Sequence, residues 1–338
     1  MNEEMRAEQR AFTGTKRSRS EHTTRAPLSI YHRAALLTVL YCWMGPTASA
    51  QVALLVERGP SAYQQAAQGF QQAFGSPSEV QQIEVDESGR GPGQSLEILR
   101  RNPPRLVVAI GTRAARTAGE RLPNLPILYC LTLRPVQNKL VGNNIGGIVL
   151  DVELSQQFEN IRKLLPGLRR IGVVYDELTS GDLVRQARSS LGPSVQVVSR
   201  NVRTPQGAER QIRELLNNVL GPGDAFWLLW DSVTANPANF ALLVELSLKN
   251  KVPILAPARP FVEGGALVAV GANYEQTGHE IAGMARQVLR GQAQPGDFAA
   301  VSPTQMTVTI NAEVARQLGV TIPLDLHADI LGPKGKIP

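Results

Sequence analysis

The sequence predicts an α/β protein with two doubly wound parallel-sheet lobes that are joined by a multi-strand hinge. From residue 51 onward, short apolar strands alternate with amphipathic helices, which is the pattern of βαβ units and a parallel sheet. The alternation starts again after a Gly- and Asn-rich connection, Val141 to Gly147, so a second lobe follows the first. Late segments would then cross back between the lobes, and several such crossings make a hinge.

The first 50 residues predict a signal peptide. A net-basic stretch ends in His32 and Arg33, the apolar segment Ala34 to Met44 follows, and Ala48 to Ala50 form an A-x-A cleavage site. The apolar segment is too short for a permanent membrane span. We expect cleavage after Ala50 and export to the periplasm. An uncleaved N-terminal membrane anchor is the alternative, because the region before the apolar segment is long for a signal peptide.

Charge and cysteine content argue against a nucleic-acid-binding protein and against a protein stabilised by disulfides. Residues 1–50 hold seven of the 35 Lys and Arg residues and four of the 29 Asp and Glu residues, so a formal charge of about +3 remains on the rest. These basic residues are scattered without interleaved aromatic residues, so we expect no nucleic-acid partner. Cys130 is the one cysteine after residue 50, so no intramolecular disulfide is expected and packed cores must supply the stability.

The first lobe is predicted over residues 51–152. A helix with apolar residues at three- and four-residue spacing, from Tyr63 to Phe74, ends at Gly75. A Gly-rich turn, Gly89 to Gly93, leads into a short helix, and another helix opens at Gly111-Thr112-Arg113. The predicted strands are Val52 to Val56, Val80 to Val85, Leu106 to Ile110 and Leu125 to Leu131.

The second lobe is predicted over residues 153–273. Thr204-Pro205 and Asn236-Pro237 each place a cap and a proline at the start of a helix. Residues 274–300 are expected to return to the first lobe, and residues 301–330 to complete the second with a strand and a helix from Asn311. The predicted strands are Ile171 to Tyr175, Val195 to Val198, Ala225 to Trp230, Val252 to Ala256, Ala266 to Val270 and Gln305 to Ile310.

Two groups of residues carry a resemblance to a known family. The first group is Val252-Pro253-Ile254, Phe261 to Leu267, and Gly271 to Tyr274 with Gly278. The second is Ile310-Asn311 followed by Leu318 to Pro323, an Asn-led helix that ends in Leu-Gly-hydrophobic-x-Ile-Pro. These motifs resemble those of ABC-transporter substrate-binding proteins, a family that includes tryptophan- and tyrosine-binding proteins. The resemblance covers nearly the whole chain after residue 50.

The resemblance implies the type 1 periplasmic binding fold, in which three strands of backbone join two lobes and a small molecule binds in the cleft between them. It also implies an ABC permease of the inner membrane as partner. The chain departs from the family after the fourth strand, where Leu133-Arg134-Pro135-Val136 stands in place of the frequent Asp-Pro-Val. If that Asp contacts ligand in relatives, the chemistry of the pocket differs here.

Polar and aromatic residues that follow the strands are the candidate ligand contacts, because ligands bind beyond the carboxyl ends of strands in doubly wound sheets. The candidates are Ser61, Tyr63, Thr112, Arg113 and Thr132 from the first lobe, and Asp176, Asp231, Ser232, Arg259, Phe261 and Asn273 from the second lobe and the hinge region.

These candidates favour an amino acid or a similar small zwitterion. Thr112 and Arg113 stand at a helix start, where free N–H groups, the helix dipole and a guanidinium favour a carboxylate. Asp231 follows an apolar strand and would hold an ammonium or hydroxyl group, while Tyr63 and Phe261 would supply an aromatic wall. The alternatives stay open: Thr112 as a simple helix cap, Asp231 as a turn or cap residue, and Tyr63 as part of the core.

Catalytic patterns are missing from the sequence, which favours a binder over an enzyme. His279 and His327 lack metal-ligand spacing to another His or Cys, and there is no G-x-S-x-G elbow, Walker loop or CxxC pair. We therefore expect no cofactor, no metal and a monomer. A repressor's sensing domain would need a helix-turn-helix and no export signal, the reverse of what is seen. A periplasmic sensor that presents its ligand to a receptor remains the alternative to import.

Overall fold

The structure is a computed structural model of the 338-residue chain, and it describes residues 51–75, 77–86 and 93–332. The predicted signal peptide, and the predicted Gly-rich turn except for its last residue, lie outside the described residues. Within the described ranges, no helix is long and apolar enough to cross a membrane.

The first lobe contains a parallel sheet of five strands within the described residues, in the order β2-β1-β3-β4-β5. Because β1 lies inside the sheet, the chain winds outward from it in both directions, as the doubly wound prediction requires. The strands are β1 Val52–Glu57, β2 Val80–Val85, β3 Leu106–Ile110, β4 Ile127–Thr132 and β5 Ile145–Val149. The helices are α1 Ser61–Phe74, α2 Gly93–Arg101 and α3 Thr112–Arg121.

The second lobe repeats this strand order and extends it. Its seven described strands lie in the order β12-β11-β10-β9-β8-β6-β7, of which the last five repeat the order of the first lobe. The strands are β6 Arg170–Tyr175, β7 Gln196–Asn201, β8 Asp224–Trp227, β9 Ile254–Ala256, β10 Val268–Ala272, β11 Met306–Asn311 and β12 Asp329–Leu331. The helices are α4 Leu154–Leu164, α5 Glu177–Leu191, α6 Pro205–Glu214 with a π-helical turn Leu215–Val219, α7 Pro237–Asn250, α8 Arg259–Glu263 and α10 Ala312–Leu318.

The predicted fold class is therefore confirmed, except that β11 and β12, which pair parallel with each other, run opposite to the other strands of the second sheet. β11 runs antiparallel to β10, and Met306 pairs with Ala272 at the carboxyl end of β10. The chain returns to the second lobe at this end of the sheet, so the strand that follows has to run back toward the other end.

Apolar clusters cover both faces of the sheets. Successive residues of a strand point to opposite faces, so Leu54 belongs to one cluster of the first lobe and Leu55 to the other, and both are 0% exposed. This explains why β1 and β3 are continuous apolar runs rather than alternating ones. In the second lobe, Phe158 packs edge-on against Trp227, with ring centroids 5.4 Å apart, and both rings belong to the same buried cluster.

β5 lies where the sequence predicted only a connection. Its two glycines allow neighbouring backbone to approach closely: a Cβ on Gly147 would lie 1.9 Å from the Tyr129 carbonyl oxygen, and one on Gly146 would lie 1.9 Å from that of Pro295. The backbone of Val301 pairs with this strand through 2.9 Å hydrogen bonds to Gly147 and Val149. Glycine is uncommon inside strands, so the two glycines that permit these contacts also explain why the sequence did not predict this strand.

Helix α9, Tyr274–Leu289, packs along α1 of the first lobe. The two helices approach through glycines, because a Cβ on Gly278 would lie 2.1 Å from the Ala66 carbonyl oxygen and one on Gly69 would lie 2.1 Å from that of Glu275. Backbone crosses between the sheets before α4, before α9 and before β11. The division of the chain at residues 152, 273 and 300 stays a prediction.

Candidate ligand-binding site

A cavity of about 630 Å³ lies where the carboxyl ends of strands from both lobes meet. Its wall is formed by the first turn of α1 after β1, the start of α9 after β10, and the loops after β8 and β9. Thr307, Thr309 and Asp329 close it from the side of β11 and β12. A volume of this size is typical of small-molecule sites, and the position follows the rule for ligands of doubly wound sheets.

Four of the sequence-predicted site residues line this cavity, namely Ser61, Tyr63, Arg259 and Asn273. The other seven candidates do not line it: Thr112, Arg113, Thr132, Asp176, Asp231, Ser232 and Phe261. The ligand role of all eleven stays a prediction, but the structure shows what each environment offers.

The first turn of α1 presents backbone N–H groups and an aromatic ring to the cavity. Pro60 precedes the helix and supplies no side-chain cap, and the Tyr63 N–H donates to the Pro60 carbonyl at 3.1 Å. Burial, together with the nearby negative charge of Glu57, raises the pKa of Tyr63 to about 12. The phenol is therefore a neutral hydrogen-bonding group at physiological pH.

Arg259 and Asn273 already have partners within the protein. The Arg259 Nε is 2.9 Å from Glu263 Oε1, and its Nη1 is 3.7 Å from Asp329 Oδ2. Asn273 precedes α9, and its Oδ1 accepts from the Gln276 N–H at 3.1 Å. Both residues thus shape the cavity wall while they stabilise the elements that carry them.

The start of α3 is occupied by a carboxylate of the protein itself. Glu57 at the end of β1 accepts from the Arg113 N–H at 2.7 Å, and its other oxygen is 3.8 Å from Arg113 Nη1. Thr112 is the first residue of the helix and Gly111 precedes it, so the alternative in which Thr112 caps α3 is wrong. Its hydroxyl accepts instead from the Leu133 N–H at 2.9 Å. Glu57 thus stands where the sequence predicted a ligand carboxylate.

Asp231 is 1% exposed, and its carboxylate accepts four hydrogen bonds from the protein. The Asp176 N–H, the Thr179 hydroxyl and the Ser180 hydroxyl donate to Oδ2 at 2.8, 2.9 and 3.0 Å, and the Val233 N–H donates to Oδ1 at 3.0 Å. The carboxylate therefore ties the loop after β8 to the start of α5.

Asp176 and Ser232 flank this network without facing the cavity. Asp176 is the N-cap of α5, and its Oδ1 accepts from the Leu178 N–H at 3.1 Å. Ser232 is exposed in the loop after β8.

Arg134, from the loop after β4, reaches from the first lobe to the second. Its Nη2 donates to the Trp230 carbonyl oxygen and lies 3.5 Å from the Ser180 hydroxyl. Burial raises the pKa of the Asp151 carboxyl, and the positive charge of Arg134 opposes part of that rise. The basic residue at which this chain departs from the family pattern is thus a contact between the lobes.

Thr132 and Phe261 lie behind the cavity wall. The Thr132 hydroxyl is buried and has no hydrogen-bond partner within the described part of the chain. Phe261 packs edge-on against Trp230, with ring centroids 5.5 Å apart, and against Phe240 at 5.1 Å. It therefore supports the Trp230 ring, which itself lines the cavity.

Sequence reasoning missed several lining residues. The sequence predicts a strand from Ala225 through Trp230, yet the strand stops at Trp227 and the ring of Trp230 is only half-buried. Tyr274 and Glu275 directly follow Asn273, so the strand-end rule would have found them had it been carried one turn further. Asp329 carries no such signal, because β12 lies in a short polar segment.

Comparison with known proteins gives a consistent result. A family model for the ABC transporter substrate binding protein matches residues 50–329. A tyrosine-binding protein of Clostridioides difficile is 24% identical over 222 residues, which cover 63% of this chain and 62% of that protein. The match therefore spans less than two thirds of this relative's length.

Two solved structures have the same fold. One is the ABC domain of Streptococcus pneumonia in complex with L-Trp, with a TM-score of 0.63 and 24% identity, over 84% of this chain and 100% of that one. The other is the ligand-free, open structure of a substrate binding protein with adhesive properties from Clostridium difficile, with a TM-score of 0.69 and 21% identity, over 84% and 99% of the two chains.

Proposed function

The chain belongs to the ABC transporter substrate binding protein family, and from that membership we propose that it binds a small solute between its lobes and delivers it to an ABC permease for import. The observation that carries this proposal is the cavity of about 630 Å³ at the strand ends of both lobes. A solute held there would touch α1 and α9 on one side and the loops after β8 and β9 on the other.

The relatives favour an amino acid or a similar small zwitterion as the solute. A protein 24% identical to this chain is named for tyrosine, and a structure of the same fold is a complex with L-Trp. The cavity of this chain offers aromatic side chains of Tyr63, Tyr274 and Trp230 that suit such a solute. We include Ser61, Tyr63, Arg259 and Asn273 in the proposed contacts.

The proposed mechanism is a hinge motion. A solute that touches both lobes binds the closed arrangement better than the open one and so shifts the population toward closure. The closed form then docks on the permease of the inner membrane, which requires export to the periplasm, and we propose that cleavage after Ala50 accompanies this export. Binding and release without chemical change need no catalytic residue.

A thermal-shift screen of the purified protein against amino acids, sugars, nucleosides and organic acids tests the proposal, because a solute that binds the native state raises the melting temperature. We expect a dose-dependent rise with one class of solute. Trp230→Leu should abolish that rise, whereas Val136→Ala, a change at an exposed site outside the cavity, should leave it intact. A protein stripped of ligand by refolding that responds to no class would refute the proposal.

A further inference from the structure

The charged side chains that line the cavity carry a net negative charge. Among the described residues, the lining contains three carboxylates, Glu263, Glu275 and Asp329, and one guanidinium, Arg259. That guanidinium already lies between two of the carboxylates, 2.9 Å from Glu263 and 3.7 Å from Asp329. A ligand anion would therefore meet no unpaired cation in the described wall, whereas a ligand cation would meet the carboxylate of Glu275.

The helix starts at the cavity oppose this charge only in part. The uncapped first turn of α1 is worth about half a positive charge. At the start of α9, the Asn273 side chain already accepts from the Gln276 N–H, and Glu275 lies in the first turn. The lining contains two more carboxylates than guanidinium groups, and half a positive charge does not cancel this excess of negative charge.

The uncharged part of the wall also suits a cation. The rings of Tyr63, Tyr274 and Trp230 line the cavity, and a cation over an aromatic face is attracted by the ring quadrupole. Burial raises the pKa of both tyrosines, so both are neutral rings at physiological pH. The edge contact with Phe261 at 5.5 Å holds the Trp230 ring in place.

We infer that the cleft selects solutes with a net positive charge, so that an organic amine binds more tightly than the zwitterionic amino acid of the same skeleton. Aromatic rings and Glu275 surround the ammonium group, and nothing in the described wall neutralises a ligand carboxylate except the start of α1. The inference rests on the proposed function, because it concerns the solute of that same cavity, and it changes the favoured solute from the zwitterion that the relatives suggest to the corresponding amine.

A charge series on one skeleton tests the inference. Tryptamine, tryptophan and indole-3-propionic acid share the indole ring and carry positive, zwitterionic and negative charge. By isothermal titration calorimetry at low salt, we expect tryptamine to bind more tightly than tryptophan, and the acid to bind weakest. The lining carboxylates are exposed, so solvent screening limits the expected difference between tryptamine and tryptophan to roughly tenfold. Raising the salt concentration should weaken the binding of tryptamine most.

Two variants separate the cavity from the general charge of the protein. Glu275→Gln should weaken tryptamine binding about three- to tenfold, whereas Glu120→Gln removes the same charge at an exposed position of α3 outside the lining and should change nothing. The inference is overturned if tryptophan binds tenfold more tightly than tryptamine, or if the two variants lose equal affinity for tryptamine. In both cases the proposed function stands. A protein that binds no solute in the broader screen overturns the proposed function instead.

Discussion

Replacement of Asp231 by Ala should destabilise the protein strongly. The carboxylate is 1% exposed and accepts from two backbone N–H groups, those of Asp176 and Val233, and from two hydroxyls, those of Thr179 and Ser180. The hydroxyls can rotate toward other acceptors, but the backbone N–H groups cannot. Each buried donor left without an acceptor costs about 1–3 kcal/mol, so we expect a loss of about 3–5 kcal/mol in the free energy of unfolding.

A milder change at the same position refines the estimate. Asp231→Asn keeps one oxygen, which can serve the three donors on the Oδ2 side, and leaves the Val233 N–H facing an amide NH₂. The loss should then be about 1–3 kcal/mol, the cost of one unsatisfied donor. Exposed Asp182, which pairs with Arg185 on α5, provides the control, and Asp182→Ala should cost less than about 1 kcal/mol.

Urea denaturation followed by circular dichroism measures these differences as shifts in the midpoint at constant slope. The reasoning would be refuted if Asp231→Ala unfolded within about 1 kcal/mol of the parent protein, inside the range of an ordinary surface change. If that stable variant also lost affinity for the solute, Asp231 would be a ligand contact, as the sequence predicts, and not the structural tie seen here.

Two further predictions concern the α1–α9 contact and the half-buried carboxyl of Asp151. Gly278→Ala should lower the free energy of unfolding by about 1–3 kcal/mol in urea denaturation, because its Cβ would meet the Ala66 carbonyl. Gly283 lies on the same helix with no atom near its Cβ position, so Gly283→Ala should be neutral or stabilising. Equal effects of the two variants would contradict this prediction. Because the pKa of Asp151 is raised in the folded protein, the folded state binds the carboxyl proton more tightly than the unfolded state does. The protonated carboxyl therefore contributes to stability at low pH, and this contribution is lost as the pH rises through the pKa of the folded state. Asp151→Asn should therefore gain stability over the parent protein between about pH 3 and about pH 7, and a constant difference across that range would contradict the assignment.

Sequence patterns revealed the elements whose causes are local. β1 and β3 are runs of apolar residues, and the predicted caps Thr204, Asn236 and Asn311 each accept a backbone N–H of their own helix. A cap needs only a side chain and the next three residues, so its signal lies in a short window. The two doubly wound lobes were predicted from the alternation of apolar strands and amphipathic helices.

The elements that sequence reasoning missed depend on distant partners. β5 is rich in glycine because a segment near Pro295 presses against it, and no short window contains both. The start of α3 has the features of an anion site, but Glu57 from β1 occupies it. Four of the eleven predicted site residues line the cavity and seven do not. The strand-end rule identifies the edge of a sheet at which a ligand binds, but it does not give the direction in which each side chain points.

The packing of α9 against α1 sets the order in which the protein can finish folding during synthesis. The apolar face of α1, with Ala66 and Phe70, is covered by a helix that the ribosome makes only after the strands β6 to β10 of the second lobe. At roughly 5–20 residues per second, the interval from residue 70 to residue 274 lasts about 10–40 s. Throughout that time the nascent first lobe lacks its cover, so it stays incompletely folded until most of the chain has been translated.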